Sequence, residues 1–273
     1  MHLSGLHLYP LKSGAAFSVD AVAVDALGPV GDRRWMLVGA DGIPLTQREI
    51  PRLARVHALP AGDGGLELVA LGMPPLAVAP PGEEAPVVRT SLWGHAAEGR
   101  AASAAASEWL GEFLETECRL LHVPRELARP VAGPWGRGSE RTAFTDGFPF
   151  LLVGEGSLDA LNERLASPVP MDRFRPNLVV AGTEPFEEDD WDAVRIGRVA
   201  LRVVKPCPRC VVTTVDQATG VRDPAGEPLR TLARFRTRDG KAWLGVNLVH
   251  ESEGELRLAD PVEVLSRRGS PAG

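Results

Sequence analysis

A chain of 273 residues with 44% hydrophobic composition can bury a large core and has the length of two domains, which excludes a disordered protein. Its net charge of −6 and isoelectric point near 5.6 exclude broad electrostatic binding to nucleic acid, yet leave room for a local basic pocket around a small anion. No stretch reaches the ~20 apolar residues of a membrane-spanning helix, and the opening residues lack a charged-then-apolar leader. Cytoplasmic localisation is therefore expected, with no membrane and no nucleic-acid partner.

In chain order, LSGLHLY (3–9) alternates as a first strand and ends at Pro10. Lys12 and Ser13 beside Gly14 put a charge, a hydroxyl and backbone N–H groups where they could meet a phosphate, although a solvated loop lysine is the plainer reading. FSVDAVAVDAL (17–27) alternates again, and Arg33-Arg34 enter the strand MLV. Adjacent strand residues face opposite sides, so one arginine is expected to face inward and to need a carboxylate or an anion. Asp32 and a bound phosphate are both candidates. Asp41-Gly42 predicts a hairpin turn, Thr46-Gln47-Arg48 is a polar knot, and residues 60–90 read as further hairpins. Residues 1 to about 95 thus suggest an antiparallel, barrel-like β domain.

The first helix is expected over Ala101–Glu117, with Trp109, Leu110, Phe113 and Leu114 on its core face and Cys118 after it as a small buried hydrophobe. CRLLHV then reads as a strand. The arginine-rich stretch 124–141 lacks periodicity and reads as a mobile loop or as the lining of a site. Asp146 leads into the strand FLLVG, and Ser157 is expected to cap a helix over 157–165. Arg175 and Asn177 flank Pro176 before the run LVVAG. That proline is expected to hold Arg175 extended, a geometry that could aim both side chains at one ligand, although a turn leading into the strand is the plainer reading. EPFEEDDWD (184–192) reads as a solvated acidic loop or a docking patch, followed by strands, a short helix at 228–235 and a last strand at 260–265.

KPCPRCVVTTVD (205–216) holds two of the three cysteines. A thioredoxin-type pair normally sits at a helix N-terminus, whereas the β-branched run after Cys210 reads as a strand. A structural zinc site needs four ligands, and neither a second cysteine pair nor a closely spaced histidine pair is present. An odd number of cysteines makes no disulfide framework. What remains is a cysteine in a stiff turn between prolines, with Lys205 and Arg209 as cations favouring a thiolate, which is a soft metal ligand. This reading does not choose between Cys207 and Cys210.

YPLKS, GDRRWMLV with LTQRE after it, FRPN before a strand, and KPCPRCVVTTVD together resemble the MOSC family. They resemble in particular its branch with an N-terminal β-barrel domain, which includes the mitochondrial amidoxime-reducing components and their bacterial relatives. The resemblance runs from residue 3 to about 266 and implies an α+β, β-rich fold. An antiparallel β-barrel-like domain at 1–118 would pack on a MOSC β-barrel domain with a few helices at 119–268, followed by a tail at 269–273. It also implies a molybdenum cofactor (Mo-molybdopterin) whose protein ligand falls on Cys210, with cofactor contacts at Lys12, Ser13, Arg33, Arg175, Asn177 and Arg209. Asp146 matches a position near the site and is taken with Cys210 as catalytic. Pro208 departs from the serine often found between the two cysteines and removes a hydroxyl and an N–H. The implied activity is an oxidoreductase reducing N-hydroxylated small molecules. Lacking the cysteines of a fused iron–sulfur domain, the chain would draw electrons from an external donor, a reductase with a ferredoxin or cytochrome. The alternative is a cofactor carrier or sulfur-transfer protein without turnover, where a pyridoxal phosphate-dependent partner would supply sulfur.

Overall fold

In the computed structural model, residues 1–131 and 133–269 are described, so residues 270–273 of the expected tail lie outside them. The fold is α+β and rich in strand. Its largest sheet runs in the order Phe17–Ser18, His2–Leu8, Leu178–Ala181, Phe150–Gly154, Lys241–His250, Val199–Pro208, Trp191–Ile196 and Val262–Arg267. Along this path only the neighbours Phe150–Gly154 and Leu178–Ala181 are parallel. The sheet curls until its ends meet: His2 bridges Pro261, while Leu3 N and Val262 N donate to the carbonyls of Asp260 and Met1 at 2.9 and 3.2 Å. Closure pairs backbone groups that an open edge would leave free. Alternate residues from these strands, among them Leu3, Leu6, Phe150, Leu152, Trp191 and Leu248, fill the interior as one apolar cluster.

Beside this barrel lie a four-stranded sheet and a three-stranded meander. The first orders Trp35–Gly39, Cys118–His122, His95–Ala101 and Val87–Leu92, and the second His57–Pro60, Leu66–Val69 and Leu76–Val78. The helix Ala104–Leu114 packs Trp109, Leu110, Phe113 and Leu114 against them, as its spacing requires. It is shorter than the sequence pattern because Ser103 caps it, Oγ accepting from Ala106 N at 3.3 Å, and Glu115 leaves it at φ 56°. Cys118 is packed beside this core, and burial pushes its thiol up to about 11. Segments on either side of residue 118 share sheets: His2–Leu8 pairs with Leu178–Ala181, and Cys118–His122 pairs with Trp35–Gly39 and His95–Ala101. Among the described residues no helix is long and apolar enough to cross a membrane.

Three sequence expectations give way to local chemistry. The helix expected from Ser157 begins earlier, at Glu155, and Ser157 is buried inside it, donating to Glu188 Oε2 at 2.7 Å and accepting from Phe186 N at 2.8 Å. The acidic stretch is correspondingly not a solvated loop throughout. Glu188 is fully buried and accepts from Gly154 N at 3.2 Å, Asp189 pairs with Arg236, and Glu187 pairs with Arg267 at 2.5 Å. The third concerns the run after the cysteines. Val211–Thr214 is a single 3-10 turn, and the strand is Val199–Pro208 before it. Thr213 and Thr214 hydroxyls donate back to the carbonyls of Cys210 and Val211, at 2.9 and 2.7 Å. Such i to i−3 bonds compete with a strand and outweigh β-branched propensity here.

Candidate active site

Lys12, Ser13, Arg33, Asp146, Arg175, Asn177, Arg209 and Cys210 all line one pocket between the barrel and the smaller sheets. The chain leaves the first barrel strand at Tyr9 and crosses to the second layer, where Lys12 N donates to Trp35 O at 2.7 Å. LTQRE and the turn after Thr214 are joined by a reciprocal amide pair, Gln47 to Gln217 at 3.1 and 3.0 Å, while Gln47 also donates to Ser13 O at 2.8 Å. Separate motifs thereby meet at one place.

The cysteine turn is built by its prolines. Pro206 and Pro208 have no N–H to donate to the neighbouring strand, so the barrel pairing becomes irregular there, with register shifts before Lys205 and Pro208. Arg209 N then donates to Ala242 O at 2.7 Å, and Cys210 is the residue capping the 3-10 turn. The pair therefore does not precede a strand, and that ground for setting aside a dithiol role is lost, although all three cysteines are free thiols. Lys205 is directed at the rings of Phe148 and Trp135, 5.3 and 6.0 Å away. The cation at Cys210 is instead Arg48, whose Nη2 lies 3.1 Å from Sγ. Arg48 was visible in the sequence only as part of a polar knot, because nothing local to residues 46–48 places it against residue 210. Cys207 also lines the pocket, and burial pushes its thiol up.

A second group surrounds Tyr9, the single tyrosine of the chain. The guanidinium groups of Arg33 and Arg175 lie over its buried ring, 4.4 and 4.2 Å from the centroid, and its hydroxyl donates to Pro176 O at 3.1 Å. Burial pushes that phenol far above its ordinary value, although both arginines pull it down. Arg33 finds the nearer of its two candidate partners: Nη1 is 2.6 Å from Asp32 Oδ2 and 3.0 Å from Asn177 Oδ1. Asn177 also accepts from Leu151 N at 3.2 Å and donates to His7 O at 3.1 Å, so its amide holds Arg33 in place. Arg34 points the other way, to Asp25 at 2.7 Å. Arg175 is not extended as Pro176 suggests. It sits at φ 54° and ψ 44° where the 3-10 turn Met171–Phe174 ends, its N–H donating to Asp172 O. Among the described residues nine non-glycine positions have positive φ, and four of them (Ser13, Arg33, Trp93 and Arg175) line this pocket. Strained backbone gathers where geometry is held for a purpose.

The donors around this ring are not all used. Arg175 Nη1 donates to Gly14 O at 2.7 Å and Gln217 Oε1 at 3.1 Å, and Arg209 donates to Leu244 O at 2.9 Å and Phe174 O at 3.0 Å. Among the described residues, Arg175 Nη2 and Arg209 Nη2 are buried without a partner. Burial presses Arg175 down to about 10, still charged at neutral pH. A buried cation with a spare donor is costly until an anion meets it.

At the mouth, buried Lys12 is 2.5 Å from Asp146 Oδ1 and donates to Phe144 O at 2.9 Å. Burial pushes Lys12 down, against the pull of Asp146. For Asp146 the enclosing walls alone would raise the carboxyl, but Lys12, with a hydrogen bond from Trp93 Nε1 at 3.2 Å, outweighs them and holds it well below the usual range. The arginine-rich stretch 124–141 braces this segment from behind: buried Arg129 donates to the carbonyls of Ala143 and Thr145.

Just past the end of a barrel strand, a cysteine thus faces a pocket of strained arginines with spare donors, an arrangement able to hold an anion through the guanidinium groups and a soft metal through the thiol. The MOSC domain family matches residues 139–263, and the MOSC N-terminal beta barrel domain matches residues 1–117. Mitochondrial amidoxime-reducing component 1 of Xenopus laevis is 34% identical, covering 98% of this chain and 83% of the relative. The protein of that name from Danio rerio is 36% identical over 94% and 82%, and that from Homo sapiens 34% over 96% and 82%. The chain belongs to the MOSC family, in the branch that carries the N-terminal β-barrel domain.

Proposed function

We propose that this protein binds a molybdenum cofactor through Cys210 and reduces N-hydroxylated small molecules with electrons from an external carrier. The observation that carries the reading is the pairing, in one pocket, of Cys210 with buried guanidinium nitrogens that have no partner among the described residues. Among the described residues no three His, Cys, Asp or Glu side chains group as metal ligands, so a metal at Cys210 would take most of its ligands from the cofactor itself. Arg175 and Arg209 would bind the anionic part of that cofactor, Lys12 and Ser13 lie at the strand-to-loop crossing beside it, and Asn177 fixes Arg33. In this reading residues 1–118 and 119–268 are two domains and the cofactor lies between them, taking Lys12, Ser13 and Arg33 from one and Arg175, Arg209 and Cys210 from the other.

When bound, the cofactor supplies two-electron oxygen-atom chemistry that no side chain provides. For an amidoxime the N–O bond breaks, two electrons and two protons are consumed, and an amidine and water leave. Asp146, a carboxylate at neutral pH, can accept an N–H of the substrate and orient it, and Lys12 holds Asp146 in that state. The relatives named amidoxime-reducing components support this substrate class. The test is expression in a host that makes the cofactor, followed by metal analysis and turnover of benzamidoxime with reduced viologen dye. Wild type should hold about one molybdenum per chain and turn over, and Cys210→Ala should fold, hold none and be inactive. Molybdenum retained by Cys210→Ala would remove the ligand assignment, and bound molybdenum without turnover in the wild type would make the protein a carrier.

A further inference from the structure

We propose that Trp93 is the substrate-recognition residue of this pocket, the open face of its indole stacking on the flat conjugated part of aryl or heteroaryl N-hydroxylated substrates; this rests on the reductase reading above. The indole lies at the tip of the hairpin joining Val87–Leu92 to His95–Ala101, where Leu92 pairs with His95 and the two residues between them make the turn. Both have positive φ, 55° at Trp93 and 82° at Gly94. A two-residue turn of that form favours Asn-Gly, whose first residue tolerates the left-handed conformation. A tryptophan there is strained by its backbone, and at 49% exposure it also leaves a large apolar surface in water. Neither cost is returned by packing into the core.

What the side chain does instead is reach the pocket. Nε1 donates to Asp146 Oδ1 at 3.2 Å, and the Arg48 guanidinium covers one face, 4.0 Å from the ring centroid. Arg48 in turn sits 3.1 Å from Cys210 Sγ. The indole is thus fixed at its polar edge and on one face, one residue away from the cysteine. Its only donor is already engaged, so it offers a ligand polarisable area and no hydrogen bond. Such a surface selects for flat, conjugated partners and gains little from a small aliphatic one.

Three variants of the cofactor-loaded protein test this: Trp93→Asn, which suits the turn, Trp93→Ala, and Trp93→Phe, which keeps a ring. The readout is the ratio of kcat/KM for benzamidoxime to that for acetamidoxime. It should fall about tenfold in the Asn and Ala variants and recover in Phe, as expected for one lost aromatic stack. The Asn variant should also melt no lower than wild type, which separates recognition from misfolding. Binding is measured independently by titrating benzamidoxime into oxidised protein without a donor, following tryptophan fluorescence in wild type and calorimetry in the variants. An unchanged ratio in Trp93→Asn, with benzamidoxime bound as tightly as by wild type, would overturn the proposal and reduce Trp93 to an anchor for Asp146 and Arg48. If the wild type reduces neither substrate, the reductase reading fails by itself, and the titration still decides whether Trp93 binds flat ligands.

Discussion

Asp146 and Lys12 divide a charge between water and protein: the carboxylate is 71% exposed within the pocket, while the ammonium side chain is only 6% exposed. A carboxyl held that far below its ordinary range by an adjacent cation is ionised throughout the working range, so it serves as an acceptor and not as a resting proton donor. Asp146→Asn should therefore lower kcat by about 10²-fold while leaving the acid limb of the pH–rate profile where it is in wild type. An acid limb that shifts or disappears in the Asn variant would show that Asp146 itself titrates during turnover. The two cysteines also separate at this scale. Cys210 faces Arg48, whereas Cys207, in the last residues of the strand Val199–Pro208, is a thiol whose burial pushes it up, beside Asn247.

Among the elements, the turn that carries Cys210 depends on two hydroxyls. Thr213→Val keeps the shape of a buried side chain but removes the bond to Cys210 O, and should cost about 1 kcal/mol in urea unfolding. If Cys210 holds the metal as proposed, molybdenum retention should fall by more than that loss of stability would produce, because the same bond orients Cys210. Equal molybdenum content in Thr213→Val and wild type would show that the turn is held by its prolines alone. Most strands were legible in the sequence, since alternation, as in LSGLHLY, and short apolar runs bounded by turn residues, as in FLLVG and LVVAG, report half-buried and buried strands directly, and these lie where their patterns put them. The misreadings share another cause. Val211–Thr214, Ser157 and Arg175 each take a conformation set by a partner that propensity cannot see: a carbonyl three residues back, Glu188 from another loop, and Tyr9 from the other end of the chain. Arg48 and Trp93 were illegible in the same way, since their neighbour in space, Asp146 or Cys210, is remote in sequence.

For the molecule as a whole, acid is the sensitive direction. Burial lowers His7, His122 and His250, and for His122, which Arg34 depresses further, the value falls from 6.5 to about 4. The unfolded chain takes up these protons first as pH falls, so their contribution is complete above about pH 6.5 and is lost progressively towards pH 4. For His122 alone that amounts to roughly 3 kcal/mol at most. The urea midpoint should drop between pH 7 and pH 4.5, and His122→Phe, which keeps a ring against Trp35 at 4.6 Å in wild type, should show a shallower drop. Identical slopes in variant and wild type would assign the acid sensitivity to carboxylates elsewhere.

The seam of the barrel has a consequence for how the protein is made. Residues 2–8 pair on one side with Phe17–Ser18, close in the chain, but on the other with Leu178–Ala181, which is translated far later, and the bond from Asn177 to His7 spans 170 residues. On a ribosome the other edge of the opening segment must wait until most of the chain has emerged, and closure through Asp260 and Pro261 comes later still. Lys12 and Ser13 follow directly on that segment. Their pocket therefore comes into being only after synthesis is nearly finished, so any cofactor is received by a released or nearly complete chain and not by a nascent one.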